Sequence, residues 1–283
     1  MQIKIHRGVN QIGGCVTEIK SKKARILIDV GTNLPTCTSN VKVNVASISK
    51  KCDAVFITHY HLDHLGEYMQ VKKEVPIYIG EQAKEIFTIY QKKMNEPNIA
   101  EVTQAHIDRI EAFKTFKQDE QIEIGDMKIT PIRIDHSAFD SYMFLIEANG
   151  KRILHTGDFR THGPIGRNTP KILKGIGKID VLICEHTTLS RLDETFMSEF
   201  MLQQEAIKLI QDNKYVFIMC ASTNIDRIAS FYHANKKAGT KLFICDDYQK
   251  DILNYVTKTS TKYADYYNFS DVKSFEGKFY KDM

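Results

Sequence analysis

The 283-residue sequence predicts a mixed α/β protein, α+β in its first part, and three observations carry that expectation. Short apolar or alternating runs crowd the first 185 residues, and strand-like runs alternate with helix-like ones after residue 186. No uninterrupted apolar run approaches the roughly 20 residues a membrane-spanning helix needs. The length permits two domains, and the change of grammar sets the expected boundary, with domains at 1–185 and 186–283.

Strands are expected at Gln2–His6, Cys15–Ile19 and Arg25–Val30, punctuated by Gly13-Gly14 and Gly31. The run D-A-V-F-I-T, Asp53–Thr58, is continuously apolar, as in a strand buried on both faces. Val75–Ile79 is a further strand, and Glu81–Met94 and Glu101–Phe116 are expected helices. Strands return at Gln121–Ile124 and Met127–Ile134. Tyr142–Glu147 and Arg152–His155 then flank Asn149-Gly150, a dipeptide suited to a tight hairpin turn. Asp180–Cys184 reads as another buried strand. A helix at Asp193–Gln211, a strand at Tyr215–Cys220, a helix at Asn224–Lys237, a strand at Lys241–Cys245 and a final helix follow, a pattern of parallel strands with crossover helices.

Composition excludes little. With 42% apolar and 26% charged residues the chain reads as globular, and a net charge of +4 neither announces a nucleic-acid binder nor opposes a polyanionic substrate. The six cysteines (Cys15, Cys37, Cys52, Cys184, Cys220, Cys245) never form C-x-x-C and read as reduced packing residues. Residues 1–8 alternate as a strand does and lack the apolar stretch of an export signal, so a cytoplasmic location and no membrane partner are expected.

Chemistry concentrates in T-H-Y-H-L-D-H-L-G, Thr58–Gly66, which follows the buried Asp53–Thr58 run. In an extended loop the side chains at i and i+2 point the same way, so His59 and His61 can chelate one ion. Asp63 and His64 follow where the chain should turn into a helix, and suit a second ion. Further ligands must come from afar, and His136 in I-R-I-D-H-S and Asp158 in H-T-G-D-F-R both stand at strand ends. The two carboxylate oxygens of Asp158 are enough to bridge two divalent cations. Such a pair, about 3.5 to 4 Å apart, lowers the pKa of bound water to about 7. Imidazole and carboxylate donors favour zinc and would also accept manganese. His6, His106 and His162 read as structural or solvated, and Lys236, Lys237, Lys241 and Lys273 as ordinary surface charge.

The complete H-x-H-x-D-H pattern of His59, His61, Asp63 and His64 resembles the signature of the metallo-β-lactamase superfamily. The resemblance extends to Asp29 in L-I-D-V-G, to His136 and to Asp158 in T-G-D. It implies an αββα sandwich and two metal ions. His59, His61, His136 and Asp158 would hold one ion and Asp63, His64 and Asp158 the other, with Asp29 orienting the ligands and Asp63 and Asp158 serving catalysis. The stretch I-C-E-H-T-T-L, with Glu185 after a strand, looks like the acidic motif that opens the β-CASP branch, home of ribonuclease J and the pre-mRNA 3′-end endonuclease. That similarity implies a catalytic Glu185, part of a β-CASP-like α/β domain after it, and RNA or single-stranded DNA as substrate.

The two histidine motifs that β-CASP enzymes carry beyond the inserted domain have no counterpart here, since His186 and His233 stand in other contexts. The sequence is therefore expected to be the front part of a longer protein, or a shortened relative whose second metal site is incomplete. An exposed apolar sheet edge should result, to be covered by a partner chain or by a homo-oligomer. The alternatives are a small-molecule ester or thioester hydrolase of the same superfamily and an inactive metal-binding accessory fragment. A class B β-lactamase is disfavoured, because no cysteine stands in a comparable ligand-bearing turn.

Overall fold

The first sheet begins as an antiparallel meander of β1 (Gln2–Arg7), β2 (Val16–Lys20) and β3 (Arg25–Ile28). It continues in parallel through β4 (Ala54–Phe56), β5 (Ile77–Gly80) and β6 (Lys114–Phe116), in the spatial order β1-β2-β3-β4-β5-β6. Parallel neighbours need long crossovers. These are α1 (Val45–Ser49), then α2 (Leu62–Leu65) with a 3-10 turn at Tyr68–Gln70, then α3 (Glu81–Asn95) with α4 (Ala100–Glu111). This computed structural model describes residues 1–35, 41–95, 100–189, 196–239, 241–260 and 263–275.

In the second sheet β7 (Ile122–Ile124), β8 (Met127–Arg133), β9 (Tyr142–Ala148) and β10 (Lys151–His155) run antiparallel. Helix α5 (Thr169–Ile176) then carries the chain to β11 (Val181–Ile183), which lies parallel to β10. At the β9–β10 turn Asn149 and Gly150 have φ of 51° and 68°, the double left-handed conformation a two-residue hairpin wants.

The sheets face each other. Ile26, Ile28, Phe56 and Phe116 of the first meet Met127, Ile129, Phe144 and Ile146 of the second. Phe144 stands edge-on to both Phe56 and Phe116, with centroids 5.6 Å apart in each case. Each such fully buried side chain contributes about 1.5 to 3 kcal/mol. The outer face of the first sheet packs Leu27, Val55 and Ile77 against Val45, Phe87 and Ile110 of the helices, and that of the second packs Leu145 and Leu154 against Ile176. The result is the αββα sandwich.

Beyond β11 come α6 (Glu199–Asp212), α7 (Ile225–Lys237) and α8 (Asp247–Thr259). Their caps Ser198, Asn224 and Asp246 accept from the backbone N–H groups of Met201, Arg227 and Gln249. A short parallel pair, β12 (Ile244–Cys245) and β13 (Lys273–Ser274), completes this part. Ile225, Tyr232, Leu253 and Phe269 belong to the same apolar cluster as the helix-covered face of the first sheet, so the C-terminal helices rest on the sandwich.

Several elements differ from expectation. The expected helix to Phe116 stops at Glu111, and the β-prone K-T-F becomes edge strand β6, whose Phe116 fills the space between the sheets. Asp180–Cys184 is not a buried strand: β11 is a sheet edge, with Val181 38% and Leu182 54% exposed. The expected strand Tyr215–Cys220 forms no ladder among the described residues, and Phe217 and Met219 stand fully in solvent. Lys241–Cys245 shrinks to two residues, and part of the helix expected from Asp193 lies outside the described residues. Helices α1 and α5 had no sequence signal strong enough to set them apart. Among the described residues, Cys15, Cys52, Cys184, Cys220 and Cys245 are free thiols; Cys52 and Cys245 are buried, while Cys184 is exposed. Cys37 lies outside the described residues. No helix among the described residues is long and apolar enough to cross a membrane.

Candidate metal centre

The histidine motif hangs on the end of β4 and is clasped by the backbone of earlier strands. Val30 N–H donates to the His64 carbonyl, Cys15 N–H to that of Asp63, and Thr32 N–H to that of Leu62. Gly31 permits this approach, because a Cβ there would lie 1.6 Å from the Asp63 carbonyl oxygen. His61 is extended (φ −64°, ψ 145°) at the N-cap of α2, and Asp63 and His64 fall within the helical turn. The two pairs of side chains therefore leave the backbone in different directions.

Asp29, at the end of β3, is wholly buried and left-handed, with φ 62°. Its carboxylate accepts from Thr58 N–H at 2.8 Å and from the Thr58 hydroxyl, and pairs with His64 Nδ1 at 2.8 Å. That bond fixes the His64 ring so that Nε2 faces Asp158 Oδ1 at 3.3 Å and Asp63 Oδ2 at 3.7 Å. His59 Nδ1 meets the Thr58 hydroxyl at 3.0 Å, which leaves its Nε2 pointing the other way.

His136 and Asp158 arrive from the second sheet. Next to His136, buried Asp135 accepts from Arg160 Nε at 3.1 Å and Gly163 N–H at 2.7 Å, while Arg160 N–H donates to the Asp135 carbonyl. The ends of β8 and β10 are thus tied together, with His136 Nε2 4.0 Å from Asp158 Oδ2 and 3.3 Å from His61 Nδ1. Donor atoms of His59, His61 and His136 lie within 4.8 Å of one another, and so do those of His59, His64 and Asp158. The Nε2 atom of His59 is buried without a hydrogen-bond partner, and that of His64 meets the carboxylates of Asp158 and Asp63. Buried imidazole nitrogens facing carboxylates fit a divalent cation.

Electrostatics agrees with that fit. Burial, reinforced by the charge of His64, pushes His61 down to about 4 and His59 well below its usual value; burial and His61 push His136 to about 3. These rings are neutral at pH 7, with lone pairs available. Burial alone would raise Asp158, but the hydrogen bond and charge of His64 hold it at about 2. Burial would likewise lower His64, yet Asp29 and Asp158 draw it well above 6.5. Proton and cation thus compete for one nitrogen: metal affinity should rise with pH through neutrality, and metal uptake at pH 7 should release the His64 proton. Calorimetric titration in two buffers of different ionisation enthalpy reads that proton, and uptake without release would contradict the assignment.

The beta-lactamase superfamily domain model matches residues 24–218, more than half of the sequence, and this span contains every donor just described. The chain belongs to the metallo-β-lactamase superfamily. Within it, similarity runs to the β-CASP branch. An RNase J-like protein of Methanocaldococcus jannaschii is 30% identical over 193 residues, covering 68% of this chain and 44% of that protein. Ribonuclease J of Helicobacter pylori is 27% identical over 241 residues, 78% of this chain and 33% of the relative. Cleavage and polyadenylation specificity factor subunit 3 of Dictyostelium discoideum is 24% identical over 196 residues, 63% and 24% of the two chains. The chain therefore spans less than half the length of these relatives. In fold it is similar to the crystal structure of an Enterococcus faecalis protein of unknown function, with a TM-score of 0.74 at 19% identity, over 96% of this chain and 73% of the other.

Glu185 sits on the wall of a pocket that also contains His64, His155, Asp158 and Cys15. Its carboxylate accepts from the backbone N–H and hydroxyl of Thr187, and its own N–H reaches the Thr156 hydroxyl at 3.4 Å. It shares the cavity with His64 and Asp158 alone of the candidate ligands, and hydrogen-bonds to neither. Sequence reasoning missed Thr58, Asp135 and Arg160, which position the donors. Arg160 was legible only as the residue two beyond Asp158, with nothing to announce its partners.

Proposed function

We propose that the chain is a metal-dependent phosphodiesterase acting on RNA. The observation that carries this reading is Asp158, one carboxylate facing His64 through Oδ1 and His136 through Oδ2, at the meeting of two donor groups. His59, His61, His136 and Asp158 would hold one cation, and Asp63, His64 and Asp158 a second; zinc suits these donors and manganese would be accepted. Bound there, the ions would supply a nucleophilic water and charge neutralisation for an in-line displacement at phosphorus.

The chain's own residues do the rest. Asp29 and Thr58 lock the imidazoles on the sides turned away from the proposed metal site, the Asp29 carboxylate accepting from His64 Nδ1 and the Thr58 hydroxyl, which donates to Asp29, accepting from His59 Nδ1. Asp135 and Arg160 set the separation of His136 from Asp158. His155 accepts the Gly157 N–H at 3.2 Å and so shapes the turn that presents Asp158. Glu185, on the pocket wall and bonded to Thr187, would help orient the strand. The β-CASP relatives named as ribonucleases favour RNA over a small ester.

Purified protein, assayed for metal content and incubated with labelled single-stranded RNA, single-stranded DNA and a panel of esters, should cleave RNA, lose that activity to a chelator and regain it with zinc or manganese. Turnover of esters alone would reject the reading in favour of a small-molecule hydrolase. Metal binding without turnover of any substrate would favour an accessory module.

A further inference from the structure

A second pocket, of about 450 Å³, opens between the loop that follows Asp158 and the C-terminal helices. Its walls include His162 and Arg167 from that loop, Phe200 and Gln203 from α6, and Tyr263 and Tyr266 after α8. The volume lies in the range of small-ligand sites. Its composition is unusual for a surface depression, with four aromatic rings, an imidazole, an amide, a guanidinium and the Glu199 carboxylate.

Those rings are not all required by the core. Phe200 is 66% and Tyr263 37% exposed, and neighbouring Phe196 is 50% exposed while stacking on His162 with rings 17° apart. Tyr266 is held by His233, which stacks on it at 4.8 Å and 23°. The charged floor is already neutralised. Glu199 accepts from Arg227 Nε and the Ser230 hydroxyl, and Asp226 from Arg160 and the Tyr267 hydroxyl. What the pocket leaves open is flat apolar surface with an amide beside it and one arginine, Arg167, exposed among its lining residues.

We infer that this pocket receives one unstacked nucleobase of a single-stranded RNA, with Phe200 and Tyr263 as the stacking rings and Gln203 and Arg167 serving base edge and phosphate. The inference rests on the phosphodiesterase reading above and adds a subsite to it. Aromatic stacking of bases needs no particular sequence, and hydrogen bonds at the base edge add preference. The chain reach permits one strand to occupy both places. His162 lies four residues beyond Asp158, so the two Cα atoms are at most about 14 Å apart, or about four rises of a stacked strand at roughly 3.4 Å each. A base in the pocket would therefore sit within about four nucleotides of the cleaved bond.

The test is binding of a fluorescent single-stranded RNA to the full chain under chelating conditions, read by anisotropy. Phe200→Ala and Tyr263→Ala should each weaken binding by about 5- to 100-fold, the range expected for one lost base stack. Melting temperature serves as the check on folding, and Phe200→Trp should restore affinity if an alanine variant proves unstable. Leu209→Ala, an exposed substitution elsewhere on α6, should change nothing. An oligonucleotide with an abasic nucleotide at the occupied position should bind wild type as weakly as Phe200→Ala binds intact RNA.

Unchanged RNA affinity in both folded alanine variants would overturn the inference. So would self-association of the wild type that the variants abolish while RNA affinity stays, since the patch would then be a protein contact. RNA that binds through these rings without being cleaved by the metal-loaded wild type would leave the subsite standing and remove the nuclease reading.

Discussion

Replacing Asp158 with alanine lowers RNA cleavage by at least about a thousand-fold and brings bound metal below two equivalents per chain. The magnitude follows from the loss of several kcal/mol of charge stabilisation. Asp158 is the carboxylate that faces both His64 and His136, one from each proposed ligand set, and the hydrogen bond and charge of His64 hold it ionised. Its removal would take a ligand from each ion and deprive His64 of one of its three carboxylate neighbours. Asp158→Asn, which keeps the shape and halves the donor capacity, should retain the fold and still fall far below wild type. Equal activity and full metal content in either variant would show that the two groups do not share this residue.

The second large effect belongs to Asp29. Alanine there strands the Thr58 N–H and His64 Nδ1 in a fully buried place and puts a Cβ-only residue at φ 62°. Breaking a buried ion pair costs about 3 to 5 kcal/mol, and the melting temperature should fall by about 10 °C. Asn tolerates the left-handed backbone and keeps one acceptor. Asp29→Asn should therefore fold, yet bind metal about 10- to 100-fold more weakly, because the His64 ring loses its charged anchor. Thermal melts and metal titration separate the two effects; an Asp29→Ala protein as stable as wild type would contradict the packing described.

The sequence was most legible where local chemistry and architecture coincide. The run A-V-F before the histidine motif became central strand β4 because an apolar strand ending in a polar loop has few other uses, and Asn149-Gly150 formed its hairpin because both residues accept positive φ. The converging donors were readable as residue types, with His136 and Asp158 at strand ends. Their positioning partners were not, since Asp135 and Arg160 acquire meaning only when β8 and β10 are brought side by side.

The failures share one cause, that burial depends on neighbours which periodicity does not name. Val181–Ile183 and Tyr215–Cys220 carry the apolar residues of interior strands, but β11 is an edge and the second run pairs with nothing among the described residues. The expected exposed apolar sheet edge is present at β11, while Tyr215–Cys220 is exposed but belongs to no sheet among the described residues. Lys114–Phe116 shows the reverse, a short strand hidden behind a helix-like stretch and revealed by where Phe116 packs.

The claim on which the rest depends is that side chains from three separate segments hold two cations at one site. Anomalous diffraction from crystals grown with manganese or zinc tests it most directly. The account predicts two peaks, one contacted by His59, His61 and His136, the other by Asp63 and His64, with Asp158 reaching both. A single peak, peaks elsewhere, or a metal-loaded protein with His136 and Asp158 turned away from His61 and His64 would contradict it.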